Sequence, residues 1–139
     1  MPVTIDRIKE KTTSETDIID ITSKVVSNLE VSGVVNGTVN LFVPGSTAAL
    51  TTIEFESGVI NDLKKVISRL APQEDYYEHN ERWGDGNGYS HVRAALLGPS
   101  LGVPVINGVL SLGTWQQIVL LDFDNRPRER NIIQQIIGV

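Results

Sequence analysis

The sequence predicts an α+β fold, mainly an antiparallel β-sandwich of jelly-roll-like form with two to three flanking helices. Three observations predict it. Most apolar segments are short and have period-two or β-branched character; they follow one another instead of alternating with helices; and Asn107-Gly108, between two of them, is the strongest short hairpin signal. The chain of 139 residues has the length of one domain, 1–139. At that size folding hides roughly 70% of the surface the unfolded chain exposes, enough for one real core.

In order, Val3, Ile5 and Ile8 alternate with polar residues, and a second short strand over residues 16–19 follows a charged, Thr-rich break. Asp20 or Thr22 is placed to cap a helix that carries Val25, Val26 and Leu29 on one face and stops near Gly33. Val39, Leu41 and Val43 recur at period two before the turn pair Pro44-Gly45, and residues 48–55 form a following strand, expected to be its neighbour. The clearest helix spans 57–71, with Ile60, Leu63, Ile67 and Leu70 as its core stripe and Pro72 ending it. Residues 73–90 show neither period and read as a long loop, a class usually functional or disordered; the aromatics and histidines in and beside it argue against disorder. Residues 91–97 are expected to form a short helix ending at Gly98. Strands over 103–106, 109–112, 115–123 and 131–137 complete the chain.

Composition narrows the function. A net charge of −5 repels a phosphate backbone, so nucleic acid is not expected as a partner. No segment approaches the ~20 apolar residues of a membrane span, and the N-terminal residues lack an apolar signal core, so no membrane association and a cytoplasmic location are expected. With no cysteine, thiolate chemistry is excluded, and a metal would need His, carboxylate or water ligands.

The densest polar cluster is His79, Asn80, Asp85, Asn87, Ser90 and His91, interleaved with Trp83 and three glycines. His with Asp supplies groups that bind a metal or move protons near neutral pH, and glycines let backbone approach a ligand. The alternative is a hydrogen-bonded loop with surface histidines. Ser46 and Thr47, after Pro44-Gly45, are donors for a phosphate or carboxylate, or simply turn residues; Thr114 and Gln116 flank Trp115 in the same ambiguous way. Arg126, Arg128 and Arg130 are either a solvated basic turn or a phosphate clamp.

The segments Gly45 to Glu54, Tyr77-Glu78-His79-Asn80, Ser90-His91-Val92, Leu97-Gly98-Pro99-Ser100, Leu112-Gly113-Thr114-Trp115-Gln116 and Arg126-Pro127-Arg128 together resemble the YjbQ-like family, in order over nearly the whole chain. The resemblance implies a small β-sandwich with flanking helices, a homotrimer, and a secondary thiamine-phosphate synthase activity. It also marks two departures: Gly45 stands where many members carry His, and Tyr89 where many carry another. A third metal-ligating histidine is thus missing, and Glu54, Asp85 or water would have to replace it.

The expected function is therefore a phosphate-handling, thiamine-phosphate synthase-like transferase, joining a pyrimidine diphosphate to a thiazole phosphate. His79, His91, Glu54 and Asp85 are the expected acid, base or metal-ligating groups, with His79 and His91 holding zinc or magnesium. Ser46, Thr47, Asn87, Arg93, Thr114, Gln116, Arg126 and Arg128 are expected to hold a small phosphorylated molecule. The alternatives are a trimeric small-molecule or metal-binding protein without turnover, and a metal-dependent hydrolase.

Overall fold

The alternation of apolar residues decides which side each strand faces, and in the computed structural model, which describes residues 2–14 and 16–139, those sides meet in two separate cores. In chain order the elements are β1 (Val3–Lys11), β2 (Asp17–Asp20), α1 (Thr22–Ser32), β3 (Gly37–Phe42), β4 (Ala48–Glu54), α2 (Ser57–Leu70), α3 (Glu78–Trp83), α4 (Gly88–Leu97), β5 (Ser100–Ile106), β6 (Val109–Leu110), β7 (Gln116–Asp122) and β8 (Glu129–Gly138). One sheet has the strand order β1-β8-β3-β5-β6 and the other β2-β7-β4, with every pairing antiparallel. The α+β, mainly antiparallel architecture is as the sequence predicts.

The larger core lies between the two sheets. Val39, Leu41, Val103, Ile132 and Ile136 reach it from the five-stranded sheet, Leu50, Ile118 and Leu120 from the three-stranded one, and Ile21, Val25 and Leu29 from α1. Val119, Leu121 and Ala49 point to the opposite face of the small sheet, where Ile67 of α2 and Ala94 of α4 cover them. That explains why β7 is apolar without interruption from Ile118 to Leu121: a strand buried on both faces has no polar side. Gln134, fully buried on the core side of β8, is satisfied by donating to the Val25 carbonyl at 3.1 Å and accepting from Asn28 at 2.9 Å.

Local chemistry sets the boundaries. The Asp20 carboxylate accepts from the Thr22 amide at 2.9 Å and hydroxyl at 2.7 Å, and Gly33 closes α1 in the left-handed region at φ 69°. Glu56 caps α2, its carboxylate accepting from the Gly58 and Val59 amides at 2.7 and 2.9 Å, which holds that carboxyl below its usual range. Asn107 and Gly108 adopt φ 53° and 77° between the paired residues Ile106 and Val109, the mirror-image turn such a hairpin requires.

Three expectations are corrected. β3 and β4 are not neighbours: Pro44 and Gly45 carry the chain from one sheet to the other, so period-two patterning identifies both strands but not their partners. The core stripe of α2 is narrower than its periodicity indicates, since Ile67 is buried and Leu63 packs partly, whereas Leu70 is 67% exposed. The stretch 73–90 is not one loop. It contains α3, and α4 begins at Gly88, giving four helices among the described residues. A helix of under two turns has no room for an amphipathic stripe, so its signal is in its ends: Gly84 at φ 64°, and Gly88, whose amide donates to Asn80 Oδ1 at 2.9 Å and whose Cα packs so closely on Tyr77 that a Cβ would sit 2.5 Å from it.

Candidate functional site

The two histidines come from neighbouring short helices, His79 from α3 and His91 from α4. Their rings stack at 4.4 Å between centroids, tilted by 39°. Asp85, in the turn between the helices, places Oδ1 3.4 Å from His79 Nδ1. That separation is within ion-pairing reach but outside hydrogen-bonding geometry, and the buried Nδ1 has no hydrogen-bond partner among the described residues. Burial first, and the neighbouring His79 second, hold His91 below its ordinary pKa; the charges of Asp85 and Asp124 pull it back only in part. His91 is therefore neutral near pH 7, able to accept a hydrogen bond or a proton.

A cavity of about 250 Å³ opens beside His91, walled by Gly45, Ser46, Ala48, Ala94, Ala95 and Pro99. Directly behind Gly45 lies a buried charge network. Arg130 donates from Nε to Asp122 Oδ2 at 2.7 Å and from Nη2 to Asp122 Oδ1 at 3.0 Å, a two-pronged pairing, and Nη2 also donates to Thr47 Oγ1 at 2.7 Å. Thr47 in turn donates to Asp124 Oδ2 at 2.9 Å, which also accepts from Arg128 Nε at 3.1 Å and Asn87 Nδ2 at 3.4 Å. Burial pushes the Asp124 carboxyl up, but the hydroxyl of Thr47, the charge of Arg128, Asn87 and the Arg126 amide outweigh it and leave it below its ordinary value. Asn87 Oδ1 accepts from the Ser90 hydroxyl and, at 3.2 Å, from the Asn125 amide, and so ties the start of α4 to the turn after β7.

The structure thus brings His79, His91, Asp85 and Ser46 together, with Thr47, Asn87 and Arg128 one layer behind in the Asp124 network. Other expected residues stand elsewhere. Glu54 lines a different cavity with Phe55 and Trp115 at the end of β4. Gln116 is spent on the Gly113 amide at 3.0 Å and the Thr52 hydroxyl at 2.8 Å, and Thr114 sits exposed in the turn before it. Arg126 is exposed, and Arg93 lines a third cavity with Tyr89 and Phe123. The basic run is therefore no phosphate clamp of three equal members, because Arg130 is buried and neutralised by Asp122. Asp122 and Asp124 are the residues the sequence reading missed. Their signal was available: two carboxylates at period two directly after a doubly buried strand, matched by arginines at period two in Arg128 and Arg130.

No group of three or more His, Cys, Asp or Glu side chains among the described residues is arranged to hold a metal ion. The metal-binding expectation for His79 and His91 is corrected on that ground: Glu54 is on another surface, and Asp85 completes no third ligand position. Likewise, no helix among the described residues is long and apolar enough to cross a membrane.

Fold and site together define an α+β protein of two antiparallel sheets with a paired-histidine site at the ends of two short helices. The chain belongs to the YjbQ-like family: the model described as UPF0047 protein YjbQ-like matches residues 6–139. A UPF0047 protein of Methanothermobacter thermautotrophicus is 41% identical over 138 residues, covering 99% of this chain and 94% of its own. The UPF0047 protein YugU of Bacillus subtilis is 35% identical over 129 residues, 92% of this chain and 95% of its own. The crystal structure of a YbjQ-like protein of unknown function from Sulfolobus solfataricus P2 superposes with a TM-score of 0.94 at 35% identity, covering 99% of each chain. These relatives are named for the family and not for a reaction, which overturns the expectation of thiamine-phosphate synthase or other transferase activity.

Proposed function

We propose that the His79–His91 site binds a small, uncharged molecule carrying a hydroxyl or amine, and that neutral His91 accepts the hydrogen bond, or the proton, that this group donates. The observation that carries the reading is His91 at the cavity wall, its ring against that of His79, whose buried Nδ1 has no hydrogen-bond partner among the described residues. A buried polar atom left unmatched costs free energy, and such atoms cluster where function demands them. The ligand is small because the cavity is below the ~300 Å³ at which drug-sized pockets begin. It is uncharged because the neighbouring ions, Arg130 with Asp122 and Arg128 with Asp124, already neutralise each other. Apart from His91 and Ser46 the lining is three alanines, a proline and Gly45, which favours an apolar body behind the donor group.

Side-chain ¹⁵N NMR of the histidines tests this with phenol and benzene as probes. Phenol is expected to shift the His91 ring nitrogens saturably, benzene to bind more weakly, and His91→Gln to abolish the difference. A His91 that is charged at neutral pH, or equal binding of both probes, would refute the reading.

The partner we propose for the face around Glu54, Phe55 and Trp115 is a second copy of this chain, in the trimer that the family resemblance implies. Trp115 is 73% exposed there and Phe55 stands beside it, an apolar area that another subunit would cover. Light scattering should give the mass of an oligomer for the native chain and a smaller one for Trp115→Glu. A native monomer at all concentrations overturns the assignment.

A further inference from the structure

Helix α4 has two functional sides. At 100° per residue, His91 and Arg93 point some 200° apart around the axis, so Arg93 leaves the histidine site behind and, with Tyr89 one turn before it, faces a separate cavity of about 510 Å³. Ser14, Thr16, Ser68 and Gln73 contribute hydroxyls and an amide to its lining. Arg93 is 6% exposed, yet no carboxylate among the described residues pairs with it. Its Nε donates to the Ala71 carbonyl at 2.9 Å, Nη1 to the Thr16 hydroxyl at 3.4 Å, and its guanidinium lies 4.8 Å from the Tyr89 ring centroid. Nη2 makes no hydrogen bond to any described residue. Buried arginines are ordinarily matched by an anion, as Arg130 is by Asp122 in this same molecule.

We infer that the Arg93 cavity is a second ligand site, which binds the phosphate group of a small phosphate monoester. The guanidinium supplies the positive charge and free N–H donors, and the surrounding hydroxyls and Gln73 amide match a tetrahedral oxyanion, which has more acceptor oxygens to satisfy than a carboxylate. The Nε bond to Ala71 and the Tyr89 ring fix the fork before the ligand arrives, so little side-chain ordering remains to be done on binding. Among the described residues Glu74 at the rim is the one carboxylate in the lining, and it stands exposed to solvent. Burial also holds the Arg93 pKa below its ordinary value, a cost that a bound anion relieves.

The test is titration of the full chain with inorganic phosphate at constant ionic strength, followed by calorimetry and by the Arg93 Nε–H resonance. Saturable binding that moves this resonance is expected, weakened about tenfold or more in Arg93→Lys, which keeps the charge but loses the fork. Because Arg93 also holds the end of α2, the second variant is Ser68→Glu, on an exposed position of that helix, which sets a carboxylate at the cavity without touching the core. It too should abolish binding, whereas His91→Gln should not change it, which separates this site from the histidine site. Acetate at matched ionic strength should bind more weakly than phosphate. An absence of saturable phosphate binding, binding that survives Ser68→Glu, or acetate binding as tightly as phosphate would overturn the inference.

Discussion

Asp122→Ala removes the side chain that pairs two-pronged with Arg130, at 2.7 and 3.0 Å. Both partners are enclosed, with side-chain exposures of 9% for Arg130 and 0% for Asp122. The substitution therefore leaves a guanidinium inside the protein without its counter-charge, a change that typically costs about 3 to 5 kcal/mol. Asp124 tempers this, because its Oδ2 lies 3.9 Å from Arg130 Nη2 and Thr47 bridges the two, so the expected loss is at the lower end of that range. Asp122→Asn keeps shape and one acceptor and should lose about 1.5 to 3 kcal/mol, the worth of hydrogen bonds to a charged group. Urea unfolding of the single variants, of Arg130→Met and of the double variant closes the cycle. The double variant should be far less destabilised than the sum of the singles, and added salt should barely change the coupling, since the pair is shielded from mobile ions. A cost for Asp122→Ala below about 1 kcal/mol, or additive single effects, would refute the argument that this pair is a buried, mutually dependent unit.

Three further outcomes are expected. His91 binds its proton less readily folded than unfolded, so stability should be flat above about pH 6.5, fall as the pH drops towards the folded value, and lose that part of its pH dependence in His91→Gln; urea midpoints at about pH 7.5 and about pH 5 check it. Asp124, held low in the fold, contributes stability present above its unfolded pKa and lost only as pH falls through its lower folded value, so Asp124→Asn should remove a separate loss at more acid pH. Ile67→Ala should cost about 2 to 5 kcal/mol, whereas Leu70→Ala should stay within about 0.5 kcal/mol, and thermal unfolding that ranks them the other way would contradict the packing of α2.

Much of the fold was legible in the chain because its signals are local. The stop at Gly33, the Asn107-Gly108 turn and the alternation in β3 each depend on residues a few positions apart, and the structure keeps all three, whereas the N-cap of α1 is Ile21, with Asp20 one position before it accepting from the Thr22 amide. α3 was not legible, because a helix this short is held by its neighbours: Tyr77 donating to the Pro72 carbonyl at 2.6 Å, and Asn80 receiving the Gly88 amide. The site was legible in part. Two histidines beside glycines and Asp85 marked the right region, and Ser46 and Asn87 belong with it. Glu54, Thr114, Gln116 and Arg93 were grouped with them only by residue type, which carries no information about which surface a side chain reaches.

The sequence by itself determined the kinds of element present, the antiparallel two-sheet class and the segment in which the histidines stand, since periodicity, turn chemistry and composition act over short range. Only the tertiary structure decided which strands pair, that β3 and β4 part company at Gly45, and that Arg130 belongs to Asp122 instead of to a ligand. It also decided that His91 and Arg93, two residues apart, serve different cavities. These are outcomes of long-range packing: a buried charge takes whichever partner the fold places within hydrogen-bonding reach, and a helix two residues on presents its opposite side.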